Sequence, residues 1–210
     1  MNMSSIDEVI RKILERRAAV PTTRSLLVGV SGIDGCGKGY LARQLEAHLA
    51  LRGVFSAIVN VDGWLNLPEK RFNPSAPAEN FYENAIRFDD FFTQLILPLR
   101  NRRSIHLVAD FVEETASNYR KHIYDVKDVS VVLVEGIFLF KPQYRNYFDL
   151  TIWIDCAFHT ALARAINRAQ EQLSPANTIA AYETIYFPAQ RIHLAQDKPR
   201  EHADLILENN

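Results

Sequence analysis

Short apolar runs alternate along the chain with stretches in which apolar residues recur every three or four positions. The first pattern predicts buried strands, and the second predicts helices with one apolar face. The predicted strands are residues 26–31, 54–61, 105–108, 130–134, 151–155 and 204–207, and the predicted helices are residues 1–21, 41–51, 85–99, 157–172 and 176–195. Because strands and helices alternate, we expect an α/β fold in which helices cover both faces of a mainly parallel sheet.

Three parts of the chain differ from this regular alternation. Residues 1–21 precede the first strand and are predicted to be an N-terminal packing helix without chemistry of its own. Residues 63–80 are rich in Pro and Asn and poorly periodic, which is typical of a long loop that faces substrate. A polar stretch separates the strands at 105–108 and 130–134. The length of 210 residues suits one α/β domain, so we expect residues 1–210 to form a single domain.

A glycine-rich segment joins the first strand to the helix that follows it. Residues 32–38 are Gly-Ile-Asp-Gly-Cys-Gly-Lys, a phosphate-binding loop in the position that its chemistry requires. Backbone N–H groups at such a helix N-terminus can surround phosphate oxygens, and the lysine can reach the β- and γ-phosphates. The predicted nucleotide-binding residues of this segment are Gly32, Ile33, Asp34, Gly35, Cys36, Gly37, Lys38, Gly39 and Tyr40.

The residues at positions 36 and 39 of this loop bear on its chemistry. Gly39 stands where such loops normally carry Ser or Thr, whose hydroxyl binds Mg²⁺. Cys36 is expected to have a packing role, although a helix N-terminus would lower the pKa of its thiol.

Two carboxylates directly follow predicted strands. Asp62 comes after the strand at 54–61, and Glu135 comes after the strand at 130–134. In parallel sheets the carboxyl ends of strands meet at one edge, where ligands bind. One carboxylate can deprotonate an alcohol while another holds the metal that neutralises phosphate charge. Taken singly, Asp62 also fits a turn-forming Asp-Gly pair, and Glu135 also fits a carboxylate that faces water.

Composition excludes several classes of function. The net charge of −1 gives no general attraction to nucleic acid or to an anionic membrane. No uncharged apolar run approaches the ~20 residues of a membrane span, and the start of the chain is too polar for a secretory signal. Two cysteines do not form a disulfide framework, so we expect a cytoplasmic protein. The sequence does not determine whether it forms a homo-oligomer.

These motifs together resemble the uridine kinase and phosphoribulokinase family of P-loop kinases over most of residues 25–208. The resemblance also rests on Asp-Phe-Val at 110–112, Val-Leu-Val-Glu-Gly-Ile-Phe at 132–138, Tyr-Phe-Asp-Leu at 147–150 and Pro-Arg-Glu-His-Ala-Asp-Leu-Ile-Leu at 199–207. It implies a three-layer αβα P-loop kinase fold that uses ATP and Mg²⁺ to phosphorylate a small hydroxyl-bearing substrate. Asp62 would be the catalytic base, Lys38 the phosphate-binding cation, and Glu135, with Asp62, the magnesium ligands.

The same resemblance assigns residues 157–196 to a helical lid region. Arg164 and Arg168 would contact phosphates from one face of a lid helix, although a solvated charged face explains their spacing equally well. Family members that phosphorylate uridine hold the base with a Tyr and a His, and here those places correspond to Ala109 and Glu114. A sugar or polyol acceptor is therefore expected.

Three other interpretations were compared with this one. A true uridine or cytidine kinase and a catalytically weak nucleotide-binding regulator remain open, the second because Gly39 lacks the hydroxyl. A nucleic-acid-associated ATPase is disfavoured by the charge balance. The acceptor and the choice between ATP and GTP are not determined by the sequence.

Overall fold

A parallel sheet forms the centre of the molecule. The computed structural model describes residues 3–168 and 174–210. The strands in chain order are β1 (Leu26–Gly32), β2 (Ser56–Asn60), β3 (Ile105–Phe111), β4 (Arg120–Val126), β5 (Val131–Gly136), β6 (Leu150–Asp155) and β7 (Leu205–Glu208). Five of them pair in the order β2-β5-β1-β6-β7, and every neighbouring pair in this sheet is parallel.

Helices surround this sheet and connect its strands. They are α1 (Met3–Ala19), α2 (Lys38–Ala50), α3 (Pro68–Arg71), α4 (Pro77–Asn84), α5 (Phe88–Asp90), α6 (Leu97–Arg102), α7 (Pro142–Arg145), α8 (Phe158–Arg168), α9 (Pro175–Ala181) and α10 (Phe187–Gln196). π-Helical turns at Phe91–Ile96 and Tyr182–Tyr186 join α5 to α6 and α9 to α10, and a 3₁₀ turn at Val61–Trp64 follows β2. Across both described ranges, no helix combines the length and the apolar character that a membrane span needs.

Two apolar cores lie on the opposite faces of the sheet. Alternate residues of a strand point to opposite faces, so Leu27 and Val132 belong to one core while Val28 and Leu133 belong to the other. The first core is covered by α4, α5, α6 and α10, and the second by α1, α2 and α8. The predicted α/β fold, with a mainly parallel sheet covered on both faces, is therefore confirmed.

The expectation of a loop over residues 63–80 is wrong. This segment contains the end of the 3₁₀ turn at Val61–Trp64, helix α3 and the first half of α4. Both helices begin at a proline, Pro68 and Pro77. Proline suits the first helical position because its fixed φ is compatible with the helix and its missing N–H has no partner there. The prolines start helices in this segment, where the sequence interpretation took its Pro and Asn content and its poor periodicity as signs of a loop.

The region between β2 and β5 differs from the prediction in a second way. The strand expected at residues 105–108 extends to Phe111 and pairs antiparallel with β4 in a separate two-stranded sheet. Strand β4 was missed because Arg120, Lys121 and Asp125 interrupt its apolar residues and obscure any alternation. The helix expected at 85–99 begins only at Phe88. The end of the helix expected at 157–172 lies outside the described residues.

Candidate functional site

The phosphate-binding loop lies between β1 and α2, and its conformation requires glycine at two positions. Gly37 caps α2 with a φ of 101°, and Gly35 has a φ of 73°. A Cβ atom at Gly35 would lie 2.5 Å from the carbonyl oxygen of Ala161, and one at Gly37 would lie 2.7 Å from Nδ2 of Asn209. Helix α8 and the C-terminal tail therefore pack against the loop and leave no space for side chains there.

Lys38 is the first residue of α2 and is buried at the floor of the site. Its Nζ donates a hydrogen bond to the carbonyl oxygen of Ile33 at 3.0 Å. Burial alone would lower the pKa of Lys38, but the electrostatic effects of Cys36, Asp34, Glu135 and other neighbours raise it above its usual value. The ammonium group therefore stays charged, surrounded by carboxylates.

Asp62 and Glu135, the two predicted carboxylates, are linked by a residue that the sequence analysis did not single out. Asn60 ends β2 and lies opposite Glu135 of β5 in the sheet register. Its Nδ2 donates to Oε1 of Glu135 at 2.7 Å, and its Oδ1 accepts a hydrogen bond from the backbone N–H of Asp62 at 2.6 Å. The Asn60 amide thus fixes both strand ends relative to each other.

Both carboxyl groups hold protons more tightly than free carboxyl groups do. Burial raises the pKa of Glu135 to about 7, with Lys38 opposing the rise and Asp62 adding to it. The Asp62 side chain reaches solvent at the mouth of the site, but protein walls surround it. This partial removal from water raises the pKa of Asp62, again against the effect of Lys38. Lys38 therefore acts on both carboxyl groups.

Most of the predicted site residues line one open cleft of about 360 Å³. Arg164 of α8 donates from Nη1 to the carbonyl oxygen of Asn209 at 2.9 Å, and Arg168 lies 3.6 Å from Oδ2 of Asp34. Both arginines thus lie beside the phosphate-binding loop. The full lining is Asp34, Gly35, Gly37, Lys38, Gly39, Tyr40, Arg43, Asn60, Asp62, Glu135, Arg164 and Arg168. Arg43 and Asn60 are its members that the sequence analysis did not select.

The remaining predicted loop residues, Gly32, Ile33 and Cys36, lie behind this lining. The side chains of Ile33 and Cys36 are buried in the core beneath the loop. The expectation that a helix N-terminus lowers the pKa of Cys36 is wrong, because burial raises that pKa to about 11. Cys36 contributes packing, and its carbonyl oxygen accepts a hydrogen bond from Asn209.

The surroundings of Gly39 bear on whether a metal ion fits. A Cβ atom at this position would lie 3.4 Å from Oε1 of Glu135. A side chain at position 39 would therefore project into the space beside the Glu135 carboxylate. In the ranges that the structure describes, no group of three or more His, Cys, Asp or Glu side chains is arranged to hold a metal. Mg²⁺ in nucleotide sites is held by one or two carboxylates, water and the phosphates themselves. Glu135 and Asp62 fit that description.

A second, narrower cavity of about 60 Å³ adjoins the cleft. Asp34, Lys38, Asp62 and Arg168 line both spaces. The other lining residues come from α3, α4, α10 and the segments near them, and they are Leu65, Arg71, Phe81, Glu114, Ile137, Tyr186 and Gln190. Arg71 was not predicted as a site residue because it lies in the segment interpreted as a loop. Gln190 was not predicted because it lies within a helix of ordinary pattern.

Asp34 stands at the boundary between the two spaces and has several partners. The Tyr182 hydroxyl donates a hydrogen bond to its carboxylate. Its backbone N–H donates to Oε1 of Gln190 at 3.2 Å. Burial favours the protonated acid, but Lys38 and Arg168 outweigh it and hold the pKa of Asp34 below its usual range. Asp34 thus connects the loop to helix α10.

The structure also corrects the reasoning about Ala109 and Glu114. Glu114 lines the narrow cavity, whereas Ala109 is buried in the core and lines neither space. A third cavity beside Asp62 has aromatic and imidazole groups on its wall: Phe111, His122 and Tyr124. Two of these three belong to β4, the strand that was missed. Aromatic and imidazole groups are therefore present near the site.

The model of the phosphoribulokinase/uridine kinase family matches residues 27–173, and the chain belongs to this family. A uridine kinase of Leuconostoc citreum (strain KM20) is 22% identical over 147 residues, which cover 69% of each chain. The chain is thus a kinase, an enzyme that uses a nucleotide to phosphorylate a hydroxyl group.

Solved structures with similar folds include proteins of different described activities. A possible uridine kinase from Bacillus stearothermophilus superposes with a TM-score of 0.76 at 21% identity, covering 97% of each chain. A protein of Silicibacter sp. TM1040, provisionally described as a fructose transport system kinase, gives 0.75 at 21% identity over 96% of this chain and 98% of that one. A D-glycerate 3-kinase of Cryptococcus neoformans superposes with a TM-score of 0.62 at 14% identity, covering 90% of this chain and 88% of that one. These similarities establish the fold.

Proposed function

We propose that the protein transfers the γ-phosphoryl group of ATP to an alcohol of a sugar, polyol or nucleoside-like metabolite. The observation that carries this proposal is that Lys38 and Asp62 line both the phosphate-loop cleft and the narrow cavity beside it. A nucleotide in the cleft and an alcohol in the cavity would therefore meet at these two residues. Phosphoryl transfer depends mainly on such positioning and on electrostatic stabilisation.

Each residue has a distinct part in the proposed reaction. The acceptor oxygen attacks the γ-phosphorus, the bond from that phosphorus to the bridging oxygen breaks, and ADP leaves. Asp62 accepts the proton of the attacking hydroxyl. Lys38 and the loop N–H groups stabilise the charge on the phosphate oxygens, and Arg164 and Arg168 approach the same oxygens from α8.

Glu135, with Asp62, would hold the magnesium ion that accompanies ATP. When bound, this ion neutralises phosphate charge and orients the phosphate groups. The Asn60 amide keeps the Glu135 carboxylate in place through its 2.7 Å hydrogen bond. Asn60 is thus a positioning residue for the metal-binding carboxylate.

Two other functions have specific observations in their favour. A true uridine or cytidine kinase is favoured by the aromatic and imidazole side chains of Phe111, His122 and Tyr124 beside Asp62. A catalytically weak nucleotide-binding regulator is favoured by Gly39, which supplies no hydroxyl to a metal ion. Acceptor preference and Mg²⁺ dependence separate these alternatives from the main proposal.

Uridine is expected to be a poorer acceptor than a small sugar, polyol or hydroxy acid. The narrow cavity holds the charged side chain of Arg71, and a nucleoside base would leave its buried Nε without a matching partner. A buried polar group without a partner costs about 1–3 kcal/mol, which corresponds to roughly tenfold to a hundredfold discrimination. Comparing kcat/KM across nucleosides, sugars, polyols and hydroxy acids with ATP and Mg²⁺ tests this. If uridine or cytidine were the best acceptor, the nucleoside kinase alternative would replace the proposal.

Replacing Gly39 with serine is expected to lower the Mg²⁺ concentration needed for half-maximal rate. The new hydroxyl would project toward Glu135, whose Oε1 lies 3.4 Å from the added Cβ position, and could replace a water ligand of the ion. Gly39→Ala is the matched control, because it adds the same Cβ without the oxygen. The explanation that Gly39 deprives the metal ion of a hydroxyl ligand is wrong if serine and alanine change the Mg²⁺ dependence equally. A wild-type protein without turnover, combined with an active Gly39→Ser variant, would support the regulator alternative.

A further inference from the structure

Arg71 is a buried cation in the narrow cavity, at the C-terminal end of α3. Only 2% of its surface is exposed. One Nη2 hydrogen bond of 2.8 Å reaches the backbone carbonyl oxygen of Glu114, and the guanidinium lies 5.0 Å from the centre of the Phe72 ring. Burial lowers the pKa of Arg71, yet a guanidinium group remains charged in proteins. The cavity wall therefore carries a permanent positive charge.

The protein itself satisfies this charge only in part. No carboxylate in residues 3–168 or 174–210 forms an ion pair with Arg71 within 4.0 Å. The Glu114 carboxylate acts on it through space, but the direct contact is with the Glu114 backbone. The buried Nε of Arg71 has no hydrogen-bond acceptor in those ranges. A buried charge that lacks such a partner is costly.

A second unsatisfied donor lies in the same cavity. Gln190 of α10 is 2% exposed, and its Oε1 accepts a hydrogen bond from the backbone N–H of Asp34. Its Nε2 is buried and has no acceptor in the part of the chain that the structure describes. Two elements that are distant in sequence thus contribute to the wall of one cavity side chains that each carry a buried N–H donor without an acceptor, and the same cavity is lined by Lys38 and Asp62.

We propose that the phosphoryl acceptor is an anion, which carries a carboxylate or phosphate group in addition to the hydroxyl that is phosphorylated. This inference rests on the function proposed above. Arg71 binds the anionic group through its guanidinium group, and the Gln190 amide donates a further hydrogen bond. A guanidinium group matches the geometry of both carboxylate and phosphate oxygens. The anion supplies hydrogen-bond acceptors for the N–H donors of Arg71 and Gln190.

The test uses pairs of alcohols that differ only in the anionic group. Glycerol is compared with D-glycerate and with glycerol 3-phosphate, and fructose with fructose 6-phosphate. Binding is measured by calorimetry on protein loaded with Mg²⁺ and a non-hydrolysable ATP analogue, which occupies the phosphate-binding loop. Phosphorylation of the same compounds by ATP is measured in parallel. The glycerate and phosphate compounds distinguish a carboxylate from a phosphate as the preferred group.

Wild-type protein is expected to bind at least one anionic compound about tenfold to a hundredfold more tightly than its neutral counterpart. Arg71→Gln should abolish that difference and leave affinity for the ATP analogue unchanged. Arg71→Lys keeps the charge but loses the planar pair of donors, so it should retain only part of the preference and remains informative if Arg71→Gln does not fold. Lys70→Gln removes a neighbouring exposed charge and should retain all of the preference.

Two results would overturn the inference. One is that every neutral alcohol binds as tightly as its anionic counterparts. The other is that the preference for the anion survives in Arg71→Gln. The parallel measurement separates this failure from a failure of the proposed function. Arg71-dependent binding without any phosphorylated product would support the anion site and contradict the kinase reaction. Phosphorylation that favours neutral alcohols would support the kinase reaction and contradict the anion site.

Discussion

Lys38→Ala should reduce phosphoryl transfer by about 10²–10³-fold or more while the protein remains folded. Removing one preorganised electrostatic donor from an active site typically costs this much. The ammonium group is the buried cation nearest to the phosphate-binding loop and is surrounded by Asp34, Asp62 and Glu135. Its loss would leave phosphate charge unneutralised at the reacting centre. The rate is measured at saturating acceptor, with circular dichroism as the measure of folding.

Two further variants show whether the effect belongs to the charge at this position. Lys38→Met keeps most of the side-chain volume without the ammonium group and should lose as much rate as Lys38→Ala. Arg52→Ala removes an exposed cation just beyond the C-terminal end of α2 and should change the rate little. A folded Lys38→Ala protein that turns over at the wild-type rate would remove Lys38 from the active site.

Asp62→Asn should lower the single-turnover rate by about 10²–10⁴-fold, the usual contribution of a positioned general base. Asparagine keeps the shape of the side chain but cannot accept the proton of the attacking hydroxyl. The backbone N–H of Asp62 still donates to Asn60 in the variant, so the turn after β2 is retained. Affinity for ATP should change little, because Glu135 and the phosphates themselves still hold the magnesium ion. Rapid-quench measurement of transfer, together with nucleotide binding, separates the two effects.

Asp155→Asn is the matched control for this substitution. Asp155 is also a carboxylate at the carboxyl end of a strand, but it pairs with Arg200 and does not line the cleft. This control should leave the rate unchanged. If Asp62→Asn weakened ATP binding while the single-turnover rate persisted, Asp62 would be a binding residue and its assignment as the base would be wrong.

The convergence of Lys38, Asp62 and Glu135 was predictable because it follows from the parallel sheet. Strands β1, β2 and β5 are adjacent and parallel, so residues at their carboxyl ends meet at one edge. Short apolar runs in the sequence located these strand ends within one or two residues. Once the strands are placed, the positions of the three side chains follow from the sheet geometry alone.

The acceptor side of the site could not be predicted in this way. It is built from α3, from the segment after β3 and from α10, whose contacts with each other depend on tertiary packing. Arg71 follows a proline-containing segment that has no apolar periodicity. Asn60 and Gln190 are ordinary polar residues in the sequence, and only their hydrogen bonds in the folded chain distinguish them. A sequence pattern shows neither the burial of a polar side chain nor the absence of its hydrogen-bond partner.

The C-terminal tail is a further contact that no local pattern indicates. Asn209 donates to the carbonyl oxygen of Cys36 at 2.8 Å, and its own carbonyl oxygen accepts from Arg164. The tail therefore connects the phosphate-binding loop to helix α8. It lies there because β7 is the edge strand next to β6, which carries the chain end to the loop side of the sheet.

In the proposed reaction, ATP and an alcohol react at Lys38 and Asp62. The most direct measurement is a phosphorus balance in the acceptor screen, in which ADP, inorganic phosphate and phosphate ester are quantified together for wild type and Asp62→Asn. Wild type is expected to form one ester for each ADP with the preferred acceptor, and Asp62→Asn is expected to form almost no ester. ADP formed only with inorganic phosphate, at a rate independent of every alcohol supplied, would contradict it.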